Sequence, residues 1–284
     1  MKKSILSVSA AVALSGLGFA GSAHAVIYFG AGATFTHTNK VAATTVGLTP
    51  GSVGHYLFTP YYSAQSSVGT LFNITNTDMS NGKAVKVRFR GAANSDDVLD
   101  FTVFLSPGDV WTASVARDAA SGRAQISTPD KSCTLPDNSQ FPATFSTARL
   151  APYLAADVAA KNVNEGYIEV LNMADIPPTL LSPGKGAVHA GAAAGSANKV
   201  FTAIKHVAGV APCTGTSFQD LLDTTVVTVP ADAQGYGLAA PTGGLMGSWA
   251  VFNQAELAVF GGNQTAVVAS AGITPPKTTA RAID

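Results

Sequence analysis

Charge is scarce in this chain. Only 12% of its 284 residues are Asp, Glu, Lys or Arg, and the two signs balance at 17 each. A chain this weakly and evenly charged has no electrostatic basis for binding nucleic acid or an anionic membrane surface. Histidine is also sparse and scattered. His37, His55, His189 and His206 never approach the spacing a zinc site needs, and each reads as a surface or hydrogen-bonded side chain. Beyond the first 25 residues no run is long and apolar enough for a membrane-spanning helix, which takes about 20 residues. There is no internal repeat and no long linker.

Motifs that carry chemistry are missing too. No G-x-S-x-G elbow exposes a nucleophilic serine. No H-E-x-x-H, phosphate-binding glycine loop, dinucleotide fingerprint or EF-hand spacing occurs. Glycosidase chemistry needs two carboxylates facing each other across a cleft. Asp97, Asp100, Glu165, Glu169 and Glu256 are available, but nothing in the sequence pairs them. No cofactor is expected.

Hydrophobic residues make up 46% of the chain, enough for a substantial core. The opening "MKKSILSVSAAVALSGLGFAGSAHA" has two lysines, an apolar stretch from Ile5 to Phe19, and Ala23-His24-Ala25 as a small-x-small cleavage site. These three regions define a bacterial secretory signal peptide, residues 1–25, cleaved after Ala25. The apolar stretch is short for a membrane anchor, and no cysteine follows the site to carry a lipid. Removing Lys2 and Lys3 leaves the mature chain slightly negative.

Export leads to an oxidising compartment, where Cys133 and Cys213 are expected to pair. The bridge would close a loop of about 80 residues, worth about 3–4 kcal/mol in the chain-entropy model. Two free thiols or a metal pair are the alternatives.

Strand-forming residues dominate the rest. "HYLFTPYYSA" and "GTLFNITNTD" read as strands, and Asn81-Gly82 as a hairpin turn leading into "AVKVRFR". There Val85, Val87 and Phe89 alternate with Lys86, Arg88 and Arg90, giving one buried and one wet face. Leu99, Phe101, Val103 and Leu105 share the next face. "SPGD" is a type II turn, and Trp111, Ala113 and Val115 line the return strand, so residues 83–115 are expected to form a three-stranded meander. Asp100 is placed to pair across strands with Arg88 or Lys86. "GYIEVLNM", "TTVVTVP", "SWAVFN", "AELAVFG" and "QTAVVAS" are further strands. Val200, Phe201, Ile204 and Val207 fall at helical spacing, with Gly209 as terminator. An Ala-rich stretch near 143–166 suits one or two short helical turns. The fold expected is mainly β: a single antiparallel β-sandwich over 26–272, with one or two short helices in the middle and C-terminal thirds and a loose tail at 273–284. An outer-membrane barrel would want alternating strands and aromatic girdles throughout.

Two clusters merit weighing as sites. Tyr56, Tyr61 and Tyr62, with Phe58, could stack on a sugar or partner, or pack in the core. Asn94, Asp96 and Asp97 could offer oxygens to Ca²⁺, or form an ordinary turn. No catalytic residue is assigned.

"FTPYYSAQSSVGTLFNITNTD", "NGKAVKVRFRGAANSDDVLDFTVFLSPGDVWTA", "DKSCTLP", "EGYIEVLNM", "GGLMGSWAVFN" and "NQTAVV" together resemble secreted cell-surface proteins of Gram-negative proteobacteria. The resemblance spans Tyr56 to Val268. It implies export and a role at or beyond the cell surface, and it carries no catalytic residues. The expected function is therefore a secreted, non-enzymatic structural or adhesive protein, assembling into an extracellular layer or filament by self-association. A periplasmic or secreted binding module and a hydrolase of extracellular polymers are the alternatives.

Overall fold

The computed structural model describes residues 28–30, 40–42, 45–50, 53–213 and 230–270. The expected leader at 1–25, the expected "TTVVTVP" strand up to its final Pro230, and the expected loose tail at 273–284 lie outside them. The described chain is an antiparallel β-sandwich with a helical layer on one side.

In chain order the strands are β1 (Tyr28–Gly30), β2 (Lys40–Ala42), β3 (Thr45–Pro50), β4 (Tyr56–Ser63), β5 (Val68–Asn76), β6 (Gly82–Gly91), β7 (Asp97–Leu105) and β8 (Val110–Arg117). Then come β9 (Ala124–Ser127), β10 (Cys133–Leu135), β11 (Ala143–Thr144), β12 (Glu165–Ile176), β13 (Leu245–Met246), β14 (Ser248–Asn253), β15 (Ala258–Asn263) and β16 (Thr265–Ser270). Four short helices are α1 (Ala156–Asn162), α2 (Gly186–His189), α3 (Lys199–Ile204) and α4 (Pro230–Gly235). The first sheet runs β10-β7-β6-β12-β4-β16-β3. The second runs β11-β9-β8-β5-β14-β15, with β13 also on β5. β1 and β2 form a separate two-stranded ribbon.

Alternation explains the main core. Val85, Val87 and Phe89 of β6, Phe101, Val103 and Leu105 of β7, and Ile168 and Val170 of β12 face inward from the first sheet. They meet Phe72 and Ile74 of β5, Trp111, Ala113 and Val115 of β8, and Trp249 of β14. Six aromatic rings, Tyr62, Phe72, Phe89, Phe101, Trp111 and Phe145, meet edge-to-face or tilted at centroid distances from 4.8 to 5.8 Å. Such contacts add about 0.5–1.5 kcal/mol each beyond the area they bury.

Two expected connections are corrected. Asn81-Gly82 does not close a hairpin, because β5 belongs to the second sheet and β6 to the first. The connection arches between sheets. The Asp78 carboxylate accepts from the Ser80 and Asn81 amides and shapes the bend. Gly82 serves close approach, since a Cβ there would lie 2.4 Å from Ile204 Cδ1. Of the two pairings in the meander expected over 83–115, only the first forms. β6 and β7 pair, but β8 crosses to the second sheet. Gly108 has φ +70°, as the Pro-Gly turn requires, and the Asp109 amide donates to Ser106 O. A tight turn fixes a reversal of direction; it does not fix whether the second strand pairs with the first.

The first sheet is covered on its other face as well. Ala84, Phe104, Cys133, Leu135, Met173, Ala174 and Ile176 pack under Val200, Ala203 and Ile204 of α3, with Ala233 and Leu238. Asn198 caps α3, its side chain accepting from the Val200 and Phe201 amides. The helix stops at Ile204, so Val207 is not on its face and is exposed. Ala208 and Gly209 both have positive φ there and turn the chain sharply.

Candidate functional site

The tyrosines of β4 do not share one face. β4 carries an extra residue against β12 between Thr59 and Tyr62, where Pro60 lacks an amide to donate. The bulge swaps the inward parity from Leu57 to Tyr62 and turns Tyr61 outward. Tyr62 is fully buried among Phe89 and Phe145, and its hydroxyl donates to Val163 O at 3.2 Å. Burial drives its phenol well above the usual range, with Glu165 adding to the shift. Tyr56 is also buried and Phe58 is half-buried. Only Tyr61 stands in solvent, its hydroxyl donating to Glu165 Oε2 at 3.0 Å. A platform of Tyr56, Tyr61 and Tyr62 is therefore not formed.

The acidic loop is engaged with cations of the chain itself. Asn94 is exposed and Asp96 half-buried. Asp97 Oδ2 is 3.0 Å from Arg149 Nη1, 3.9 Å from Arg90 Nη1 and 4.0 Å from Arg88 Nε. Burial and the neighbouring Asp100 outweigh these arginines and raise the Asp97 carboxyl above its ordinary value. Asp100 meets Lys86 at 3.0 Å, the diagonal partner, while Arg88 lies directly opposite it. Glu169 meets Arg90 at 3.0 Å. The face expected to be wet is thus a ladder of ion pairs across β7, β6 and β12, with Lys86 itself buried. Among the described residues no group of three or more His, Cys, Asp and Glu is placed to hold a metal ion.

One Ser/His/Asp grouping escaped the sequence reading because its members lie 100 positions apart. Ser106 Oγ is 3.2 Å and Asp109 Oδ2 3.4 Å from the same nitrogen, His206 Nδ1. A proton relay needs the acid and the nucleophile on opposite imidazole nitrogens. Here both crowd one, and Ser106 Oγ and Ser132 Oγ donate to Asp109 Oδ2. The grouping is a brace. It ties the segment after α3 to the arch between β7 and β8. Beside it Cys133 and Cys213 are joined, with Cα atoms 5.4 Å apart.

A deeply buried polar cluster was also invisible in sequence. Lys83 is fully buried, and its Nζ lies 2.8 Å from Asp175 Oδ1. The two are register partners on β6 and β12. Asn172 Nδ2 donates to Asp175 Oδ1 at 2.9 Å and to Thr242 O at 2.8 Å. The Thr242 hydroxyl and amide both donate to Asp175 Oδ2. Asp175 also exchanges backbone hydrogen bonds with Ala239. One carboxylate thus fastens residues 239–242 to the end of β12.

His55 sits beside this cluster and is buried. Burial lowers its pKa from 6.5 to about 4; Asp175 opposes the shift and Lys83 adds to it. The neutral imidazole is the folded form, so the unfolded chain takes up the extra proton. Stability is fully present above pH 6.5 and is lost as pH falls towards 4. The loss across that window is expected to be about 3 kcal/mol. Urea titrations at pH 7, 5.5 and 4.5 should show it, and His55→Gln should flatten that part of the curve. A curve unchanged by His55→Gln would refute the assignment.

Two surface concavities among the described residues offer little chemistry. A groove of about 430 Å³ on the outer face of the second sheet is lined by Leu71, Asn73, Thr112, Ser114, Ser248 and Ala250, among others, with no titratable side chain. Another, of about 310 Å³, contains one carboxylate, Glu165, beside Lys161. Comparison with protein-family models, with characterised proteins and with solved structures finds no match for the chain. Among the described residues no helix is long and apolar enough to cross a membrane.

Proposed function

We propose that this is an exported, non-enzymatic structural or adhesive protein of the cell surface, assembling into an extracellular layer or filament. The observation that carries the reading is the use made of its polar clusters. Asp97, Asp100, Glu169, Asp109 and Asp175 each face cations or donors from another strand or loop of the same chain. They act as cross-braces, which suits a load-bearing sandwich and leaves few groups poised for a reaction. The leader at 1–25, and the resemblance of the segments from Tyr56 to Val268 to secreted cell-surface proteins, support the same reading.

Protease shaving of intact cells tests it. The mature chain, beginning at Val26, should be released or trimmed from the outside while cytosolic proteins stay intact. Retention of the whole chain in the cytosol, with Met1 still attached, would contradict export.

A second reading, a binding module, rests on the groove around Leu71. Its uncharged hydroxyl and amide lining would suit a neutral polysaccharide. Calorimetric titration with neutral glycans that shows no heat, and no change on Leu71→Asp, would remove it.

A further inference from the structure

Natural sheets guard their outermost strands with lysine, proline, bulges or a covering loop. β15 has none of these among the described residues. It ends the second sheet, pairs on one side with β14 through six unbroken register positions, and is exposed along its whole length. Val259 is 74% and Phe260 70% exposed, and Leu257 just before them is 92% exposed. Residues 257–264 contain no charge and no proline. Phe260 meets Trp249 edge-to-face with ring centroids 5.4 Å apart, which ties β15 to β14.

The occupant can be argued from the ribbon. β1 and β2 pair with each other and belong to neither sandwich sheet. A lone two-stranded ribbon is marginal in water. β2 carries Lys40, whereas residues 26–32 around β1 are uncharged, so β1 is the unguarded edge of the ribbon. Among the described residues β15 is thus an open acceptor edge and β1 an open donor edge, and the two are not paired with each other.

We infer that β1 of one copy adds to β15 of a second copy, extending the second sheet across the contact. The inference rests on the assembling-surface-protein reading and names the surface it would use. Affinity would come from the main-chain hydrogen bonds of both edges and from burial of Val259 and Phe260.

The test uses the full mature chain, residues 26–284, in sedimentation velocity with electron microscopy. Wild type should form dimers or longer assemblies. Val259→Lys blocks the acceptor and Phe29→Pro removes an amide from the donor, so each alone should be monomeric where wild type is assembled. Val259 is exposed, so its variant should melt as wild type does. Mixed together, the two should form a one-to-one heterodimer, because each retains the half the other lost. A monomeric wild type, a Phe29→Pro variant that assembles normally, or a mixture that stays monomeric would each overturn the inference. A monomer still shaved from the cell surface would overturn only this contact. Assembled protein confined to the cytosol would instead overturn the surface reading.

Discussion

Replacing Asp175 by alanine, with Lys83 left in place, is expected to destabilise the protein by about 3–5 kcal/mol, because an ammonium would remain buried without its counter-ion. Lys83 is fully buried, and its other close partners are the Thr242 hydroxyl at 3.2 Å and the Asp78 carboxylate at 3.9 Å. Neither replaces a carboxylate at 2.8 Å. The change would also remove the acceptor on which the Thr242 amide and hydroxyl and one Asn172 side-chain bond converge. Residues 239–242 should come loose first, and hydrogen exchange at the Ala239 amide, bonded to Asp175 O, reports that directly. Lys83→Met combined with Asp175→Leu should cost clearly less than the sum of the single changes, since no unpaired charge remains. Additive losses in urea titrations would show that the pair is not acting as a unit.

Removing the Cys133–Cys213 bridge is expected to cost about 4 kcal/mol, or a fall of about 10 °C in melting temperature. The bridge spans 80 residues, so its absence gives the unfolded chain a large gain in freedom. It also fixes the segment after α3 against β10, where the helical layer closes over Phe104, Met173 and Ile176. Cys133→Ser with Cys213→Ser should therefore expose that layer before the sandwich core opens. Thermal melts of the double variant against wild type decide it. An unchanged melting temperature would mean that the helical layer holds without its staple.

Strand positions were legible because side chains alternate. Val85, Val87 and Phe89, or Trp111, Ala113 and Val115, can share a buried face only in extended backbone. Strand partners were not legible. Local turn chemistry at Asn81-Gly82 and Pro107-Gly108 is the same whether the chain folds back on itself or arches to the other sheet. The choice is made by cores far apart in sequence. The inward turn of Tyr62 depended on a bulge against β12, about 100 residues away. The braces were hidden for the same reason. Lys83 with Asp175, and Ser106 with His206, are separated by 92 and 100 positions. Lys83 also sits where a lysine is ordinarily solvated; it shares the inward parity of Val85, and the segment with Thr242 and Gly244, distant in sequence, closes over it. Asp100 with Lys86 was readable because both lie on neighbouring strands joined by a short loop.

Immunogold electron microscopy of whole cells and of the material they shed tests the central claim most directly, using antibody raised against the mature chain. Label concentrated on an outer layer or on filaments, absent from cells lacking the gene, is the predicted result. Label spread through the periplasm or cytosol, with none outside, would contradict the account.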